Sequence, residues 1–320
     1  MSTDTTPASL LRLSPLCLGG AGLGTKLDER ASYALLDAFV DLGGTMIDTA
    51  ATYADWHGDE KSASEKLLGR WLASRGHGDR VTVATKGACP RPGQFFRLQP
   101  ADIRSDLEAS LRHLQVERIE LYWLHRDDPS IPVEVIIDAL AEHARAGRIG
   151  AYGCSNWSLP RIREANAYAA DRGIPGFAAN QMMWCLSATD PATVDDTTLV
   201  LMDEELHRYH ADQAWPALPF SSQAGGFFSG RYRRGDTPPD RAGFVRQYWS
   251  PANFDRLDRV TQLAAELGQP ASAVALAHLT NQPFPTSPII GASSVEQLTE
   301  SWRATEIRLE PDVVEWLERG

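Results

Sequence analysis

Four titratable side chains stand where apolar runs stop. Asp48 ends the run through Met46 and Ile47, and Tyr53 follows five residues later. Lys86 ends "RVTVATK" and His125 ends "RIELYWLH". A carboxylate, a phenol, an ammonium and an imidazole form a set suited to moving a proton to or from a carbonyl oxygen. A free phenol titrates near pH 10, too high for ready proton exchange at neutral pH. A neighbouring ammonium favours the phenolate and brings that value down. Lys86 can supply the charge, Asp48 can hold Lys86 as its ion-pair partner, and His125 can donate to or orient the carbonyl. Tyr53 is then the expected general acid, tuned toward working pH.

Other polar residues close later apolar runs in the same way: Ser155 and Asn156, then Gln181, then Phe220 and Ser221. No GxSxG elbow, no cysteine that the sequence pairs with a histidine, no HExxH and no carboxylate cluster accompanies them, so neither a nucleophile nor a metal is expected. The reducing equivalent must then come from a cofactor. "GGAGLG" (19–24) follows a strand pattern. It lacks the later acidic residue and the paired βαβ halves that a Rossmann site requires.

The elements that must carry these residues alternate. Short apolar runs read as strands at 15–24, running into a Gly-rich loop, at 45–50, 80–87 and 118–128, the last ending in a polar cluster, and at 148–157, 176–184, 214–223 and 286–294. Between them lie helical patterns at 29–44, 62–76, 100–116, 133–147, 160–173 and near 197–211, with two more at 253–267 and 271–281. Ser62 with Glu65 three residues on reads as a capping box for the second helix. Eight strand–helix units with short connections predict parallel strands with right-handed crossovers in an α/β fold. The expected architecture is a (β/α)8 TIM barrel over 1–320 as one domain, with the site at the carboxyl ends of the strands. One long irregular stretch, 224–252, follows a strand and is expected to serve the site.

Composition excludes several classes. The chain has 320 residues, 43% hydrophobic, and a formal net charge of −11 with acids and bases interspersed. That offers no basic stripe for nucleic acid and no polybasic anchor. No apolar run is long enough for a membrane span, and the first residues lack a secretory pattern. Cys17, Cys89, Cys154 and Cys185 lie far apart and read as reduced thiols in a cytoplasmic protein. Oligomeric state is not legible in such a pattern.

At this point the residues resemble the aldo-keto reductase superfamily, nearly end to end, from "LCLGGA" to "IIGASSVEQLTES". "DTAATY", "VATKG" and "LYWLHRDDP" are similar to the family's aspartate–tyrosine, lysine and histidine segments. The resemblance implies a catalytic tetrad of Asp48, Tyr53, Lys86 and His125. It implies a nicotinamide carboxamide held by Ser155, Asn156 and Gln181, and Phe220 stacked on its ring. "PFSSQAGGFFSGRY" resembles a cofactor loop, which implies Ser221, Gly226 and Arg231 along the pyrophosphate and Arg241 on the adenosine side. Gly20, in the first resembling segment, joins these contacts. The C-terminal segment resembles the potassium-channel β-subunit-like branches and implies Gly291, Ser293, Gln297 and Glu300 at the adenosine end. Gln297 replaces an arginine common in the family, and Ser301 a common asparagine.

NADP(H) is the implied cofactor, with NAD(H) as the alternative. The implied activity is reduction of an aldehyde or ketone. Ser222 and Gln223, which make that wall polar, point toward hydroxylated carbonyls such as sugars. Trp56, His57, Trp123 and Trp184 are expected pocket walls, and Asp127 and Asp128 an expected helix cap. The alternative function is a cofactor-binding regulatory subunit.

Overall fold

The computed structural model describes residues 11, 13–55, 60–78, 80–91, 93–238 and 243–319. Trp56, His57 and Arg241 lie outside the described residues.

Among the described residues seven strands pair, in parallel throughout, in the order β6-β5-β4-β3-β2-β1-β7. They are β1 (Cys17–Gly19), β2 (Met46–Asp48), β3 (Thr82–Gly87), β4 (Ile119–Leu124), β5 (Ile149–Ser155), β6 (Asn180–Gln181) and β7 (Ile289–Ile290). Helices α1 (Glu29–Asp41), α2 (Ala63–Arg75), α3 (Pro100–Leu114), α4 (Val133–Arg145) and α5 (Leu159–Asp171) follow the first five strands in turn. After β6 come α6 (Glu204–Gln213), α7 (Gly243–Arg246), α8 (Pro251–Leu267) and α9 (Ala271–Thr280). After β7 come α10 (Val295–Trp302) and α11 (Pro311–Glu318).

Two-residue periodicity divides each strand between two environments. Ile47, Val83, Tyr122, Leu124 and Tyr152 face the helices and join the large core. Met46, Ala84, Leu121, Trp123 and Ala151 point the other way, into a small separate core inside the curl of the sheet. Trp123 fills most of that space and is fully buried. A Cβ on Gly153 would lie 2.4 Å from its ring, so only glycine fits across from it on β5. Trp123 is therefore floor and core, not the pocket wall that its place in the sequence suggested.

The expected seventh strand, 214–223, forms no continuous ladder with the sheet. Its segment runs between β6 and the approach to β7 and touches both through single bridges, Asn180 to Ala217 and Ala217 to Thr286. Backbone bonds on both sides accompany them: Leu218 N to Asn180 O at 2.9 Å and Ile289 N to Pro219 O at 2.8 Å. Pro216 and Pro219 have no N–H to give, so the ladder is interrupted at every third residue.

Two local readings also change. The helix expected near 197–211 begins only at Glu204, where Asp203 caps it by accepting from Leu206 N at 2.8 Å. The capping box does not form: Ser62 takes φ 56°, its hydroxyl donates to Ala51 O, and Glu65 turns inward to Thr85 and His113.

Candidate active site

Strand register assembles the polar cluster. Asp48 pairs with Gly19 on one side and Ala84 on the other. Lys86 is two residues beyond Ala84 and so points to the same interior face. It is fully buried, as is Asp48, and the two form an ion pair. Lys86 Nζ also donates to Thr49 O at 2.8 Å and to Tyr53 Oη at 3.1 Å. From β6, Gln181 Nε2 donates to Asp48 Oδ1 at 3.0 Å. His125, one residue past β4, stands edge-on to Tyr53 with ring centroids 6.1 Å apart.

Burial alone would favour a neutral Lys86 amine, but Asp48 and Tyr53 face it and hold the ammonium above its usual range. Burial lifts the Asp48 carboxyl, against the opposing pull of Lys86 and Gln181. Tyr53 departs from expectation. Burial raises its phenol above 10, and the lowering effect of Lys86 does not overcome it. Burial first, then Lys86 and Arg126, pushes His125 well below its usual 6.5, so its imidazole is neutral. The site thus holds a protonated phenol beside a charged ammonium, which is the starting state of a general acid.

Tyr53 and His125 are half-buried and line a cleft of about 1090 Å3. Along it also lie Asp48, Ser155, Asn156, Gln181, Phe220 and Ser221. The far side holds Gly226, Arg231, Gly291, Ser293, Gln297 and Glu300. Lys86 sits behind Asp48 and Tyr53 and does not line it. Gly20 does not line it either, although Gly19, Ala21 and Gly22 do. Its N–H is given to Asp48 O at 2.7 Å and its carbonyl accepts from Ser64, so both backbone groups serve the scaffold.

The cleft is large enough for a dinucleotide with a small substrate. Its polar groups suit a carboxamide. The Gln181 amide nitrogen is committed to Asp48, which leaves its oxygen as the acceptor for a guest. Asn156, held at φ 60°, donates to Ser155 Oγ and to His125 O and accepts from Val200 N. At the other end Gln297 accepts from Ser293 N at 2.8 Å, and Glu300 bonds to Ser272.

The sequence missed several participants. Lys26, Arg126 and Ser272 line the cleft. Arg126 donates to Thr198, to Asp196 and to the carbonyl of His125, tying the loop after β6 to the end of β4. Cys89 lies 3.0 Å from His125 Nδ1, a cysteine–histidine contact that the spacing gave no means of pairing.

Other expectations fall away. Gln223 lines the cleft, but its amide bonds Gly291 N at 2.9 Å and Ser301 Oγ at 3.0 Å, so it is not free to read a hydroxylated substrate. Ser222 is buried on Ile289 O. Asp127 pairs with Arg161, and Asp128 makes a turn with Ser130, while the residue preceding α4 is Pro132. Trp184 packs among His207, His278 and Phe284, away from the cleft lining. Among the described residues no cluster of histidine, cysteine and carboxylate side chains could hold a metal ion. Among them, too, no helix is long and apolar enough to cross a membrane.

The Aldo/keto reductase family model matches residues 15–319. The chain is 30% identical to the uncharacterized oxidoreductase YrpG of Bacillus subtilis, with 96% of this chain and 92% of that protein covered. It is 27% identical to an aryl-alcohol dehydrogenase (NADP+) of Phanerodontia chrysosporium, covering 97% and 83% respectively. It is 29% identical to human aflatoxin B1 aldehyde reductase member 2, covering 93% and 84%.

Proposed function

The chain belongs to the aldo/keto reductase family, and from that premise we propose that it reduces an aldehyde or ketone to an alcohol with a nicotinamide dinucleotide as reductant. The observation that carries this reading is the line of contacts from Asp48 through Lys86 to Tyr53 Oη at 3.1 Å, opening on the cleft. When bound, the dinucleotide supplies the hydride. The protein supplies the proton. Tyr53 delivers it to the carbonyl oxygen, and Lys86 stabilises the phenolate that remains. Asp48 keeps Lys86 in place and charged. His125, neutral, donates a hydrogen bond to the same oxygen. Ser155, Asn156 and Gln181 would hold the carboxamide and Phe220 would pack against the nicotinamide.

On the same reading residues 1–320 form one domain, a closed (β/α)8 barrel in which 216–220 serve as the remaining strand. Ser221, Gly226 and Arg231 would follow the pyrophosphate, and Arg241, which lies outside the described residues, stays the sequence's candidate for the adenosine side. Gly291, Ser293, Gln297 and Glu300 receive the adenosine end. NADP(H) is the preferred cofactor, supported by the name of the fungal aryl-alcohol dehydrogenase. Aldehydes, aromatic ones included, are the favoured substrates, since the polar wall that suggested sugars is spent on internal bonds. The reaction is placed in the cytoplasm.

The test is a fluorescence titration with NADPH and NADH, followed by aldehydes in the same sample. The expected result is quenching by NADPH and its oxidation on addition of an aldehyde. Tyr53→Phe should lower turnover by about 10^3-fold while leaving the NADPH dissociation constant within about twofold. Normal turnover in Tyr53→Phe would sink the mechanism.

A further inference from the structure

We propose that Cys89 is a positioning residue that fixes the tautomer of His125, so that the imidazole presents its Nε2 proton to the cleft. The proposal deepens the reductase reading and rests on it for its kinetic consequence.

The backbone of His125 is held from several directions. Its N–H donates to Gly87 O at 3.0 Å, while its carbonyl accepts from Arg126 at 2.8 Å and Asn156 at 3.3 Å. What remains free is the ring. One edge of it meets Cys89, a fully buried residue in the loop after β3, with Nδ1 and Sγ 3.0 Å apart. The other edge belongs to a residue that lines the cleft beside Tyr53. The charged groups near the ring are Lys86 and Arg126. Both are cations, and both favour an uncharged imidazole.

A neutral imidazole carries one proton, on one nitrogen or the other, and the partner of the first nitrogen decides which. Burial pushes the Cys89 thiol up to about 11, so it keeps its proton and can donate it in a hydrogen bond. At 3.0 Å, Sγ and Nδ1 are within hydrogen-bond distance, close enough for the protonated thiol to donate to the ring lone pair. The thiol's other neighbours are Lys86 O, farther at 3.3 Å and already receiving Ala51 N–H, and the Thr52 side chain. With Nδ1 accepting, the proton must sit on Nε2. That is the tautomer able to hydrogen-bond a substrate carbonyl. The opposite tautomer would offer the carbonyl oxygen a lone pair, which repels it.

The experiment is nitrogen-15 NMR of imidazole-labelled protein, with His125 assigned by comparison with His125→Gln, on wild type, Cys89→Ala and Cys89→Ser. Turnover and NADPH affinity are measured on the same samples. The expected wild-type spectrum shows His125 protonated at Nε2. Cys89→Ala should mix the tautomers and lower kcat about tenfold with NADPH affinity unchanged, while Cys89→Ser, which keeps a donor, restores both. A wild-type His125 protonated at Nδ1 would overturn the proposal. So would a Cys89→Ala protein that retains a single Nε2 tautomer and full kcat. Should no carbonyl oxidise NADPH, the reductase reading fails instead, and the spectra still judge the tautomer.

Discussion

At the residue scale, the disagreement over Tyr53 is instructive. Its five-residue step from Asp48 and the presence of a lysine argued for a lowered phenol. The contact with Lys86 exists, yet burial outweighs it and the phenol is raised. Linear sequence shows which charges exist but not how much water each has lost, and that loss is the larger effect here. The direction fixes a pH dependence. On the proposed mechanism reduction needs a protonated phenol, so raising its pKa would extend activity to higher pH. His125 loses its extra proton well below 6.5 and sets no limit near neutrality. The kcat/KM for aldehyde reduction should therefore stay flat from about pH 6.5 to 9 and fall only above about 10. A pH–rate profile with a descending limb near 8 would contradict this. Cys89 marks the complementary blind spot. It is 36 residues from His125, and only the pairing of β3 with β4 joins them.

At the element scale, most strands and helices were legible because each places apolar residues at a regular period. The exceptions have local causes. Two prolines interrupt the ladder at 216–220, and Ser62 adopts a left-handed backbone that turns its hydroxyl away from the helix it precedes. One element-level device was invisible beforehand. Asp106 on α3 is fully buried and accepts from Ala88 N at 3.0 Å, from Arg91 at 2.6 Å and from Arg97. It therefore shapes the turn that leaves β3 after Gly87 and leads to Cys89. Removing a buried ionic partner strands the others, and Asp106→Ala should cost about 3–5 kcal/mol. Chemical denaturation measures this, and a loss under about 1 kcal/mol would show that the arginines find water instead.

At the scale of the whole molecule, one parallel sheet brings its strands' carboxyl ends to the same side, and the polar residues gather there. That end-of-strand pattern let the site be read before the fold. The loop contributions of Lys26 and Arg126 stayed hidden, because connections between elements carry no periodicity, and Ser272, in the first turn of α9, is marked only by the pocket it meets. A ligand that fills a cleft built from so many segments should stabilise all of them together. NADPH at about 100 times its dissociation constant should add about 2.7 kcal/mol, or roughly 5 °C in Tm for a chain of this size. Differential scanning calorimetry with and without the nucleotide measures it, and an unchanged Tm would exclude tight binding.

The burial of Lys86 has a consequence for protein chemistry. The sequence contains four lysines: Lys26, Lys61, Lys66 and Lys86. An acylating reagent in water meets the first three, because the fourth is sealed beneath the cleft and keeps its proton in the ion pair with Asp48. Coupling the protein to a resin through its side-chain amines would thus spare the lysine that the proposed chemistry depends on. It would still risk Lys26, which lines the cleft, and on the proposed function the nucleotide would be the protecting agent during attachment.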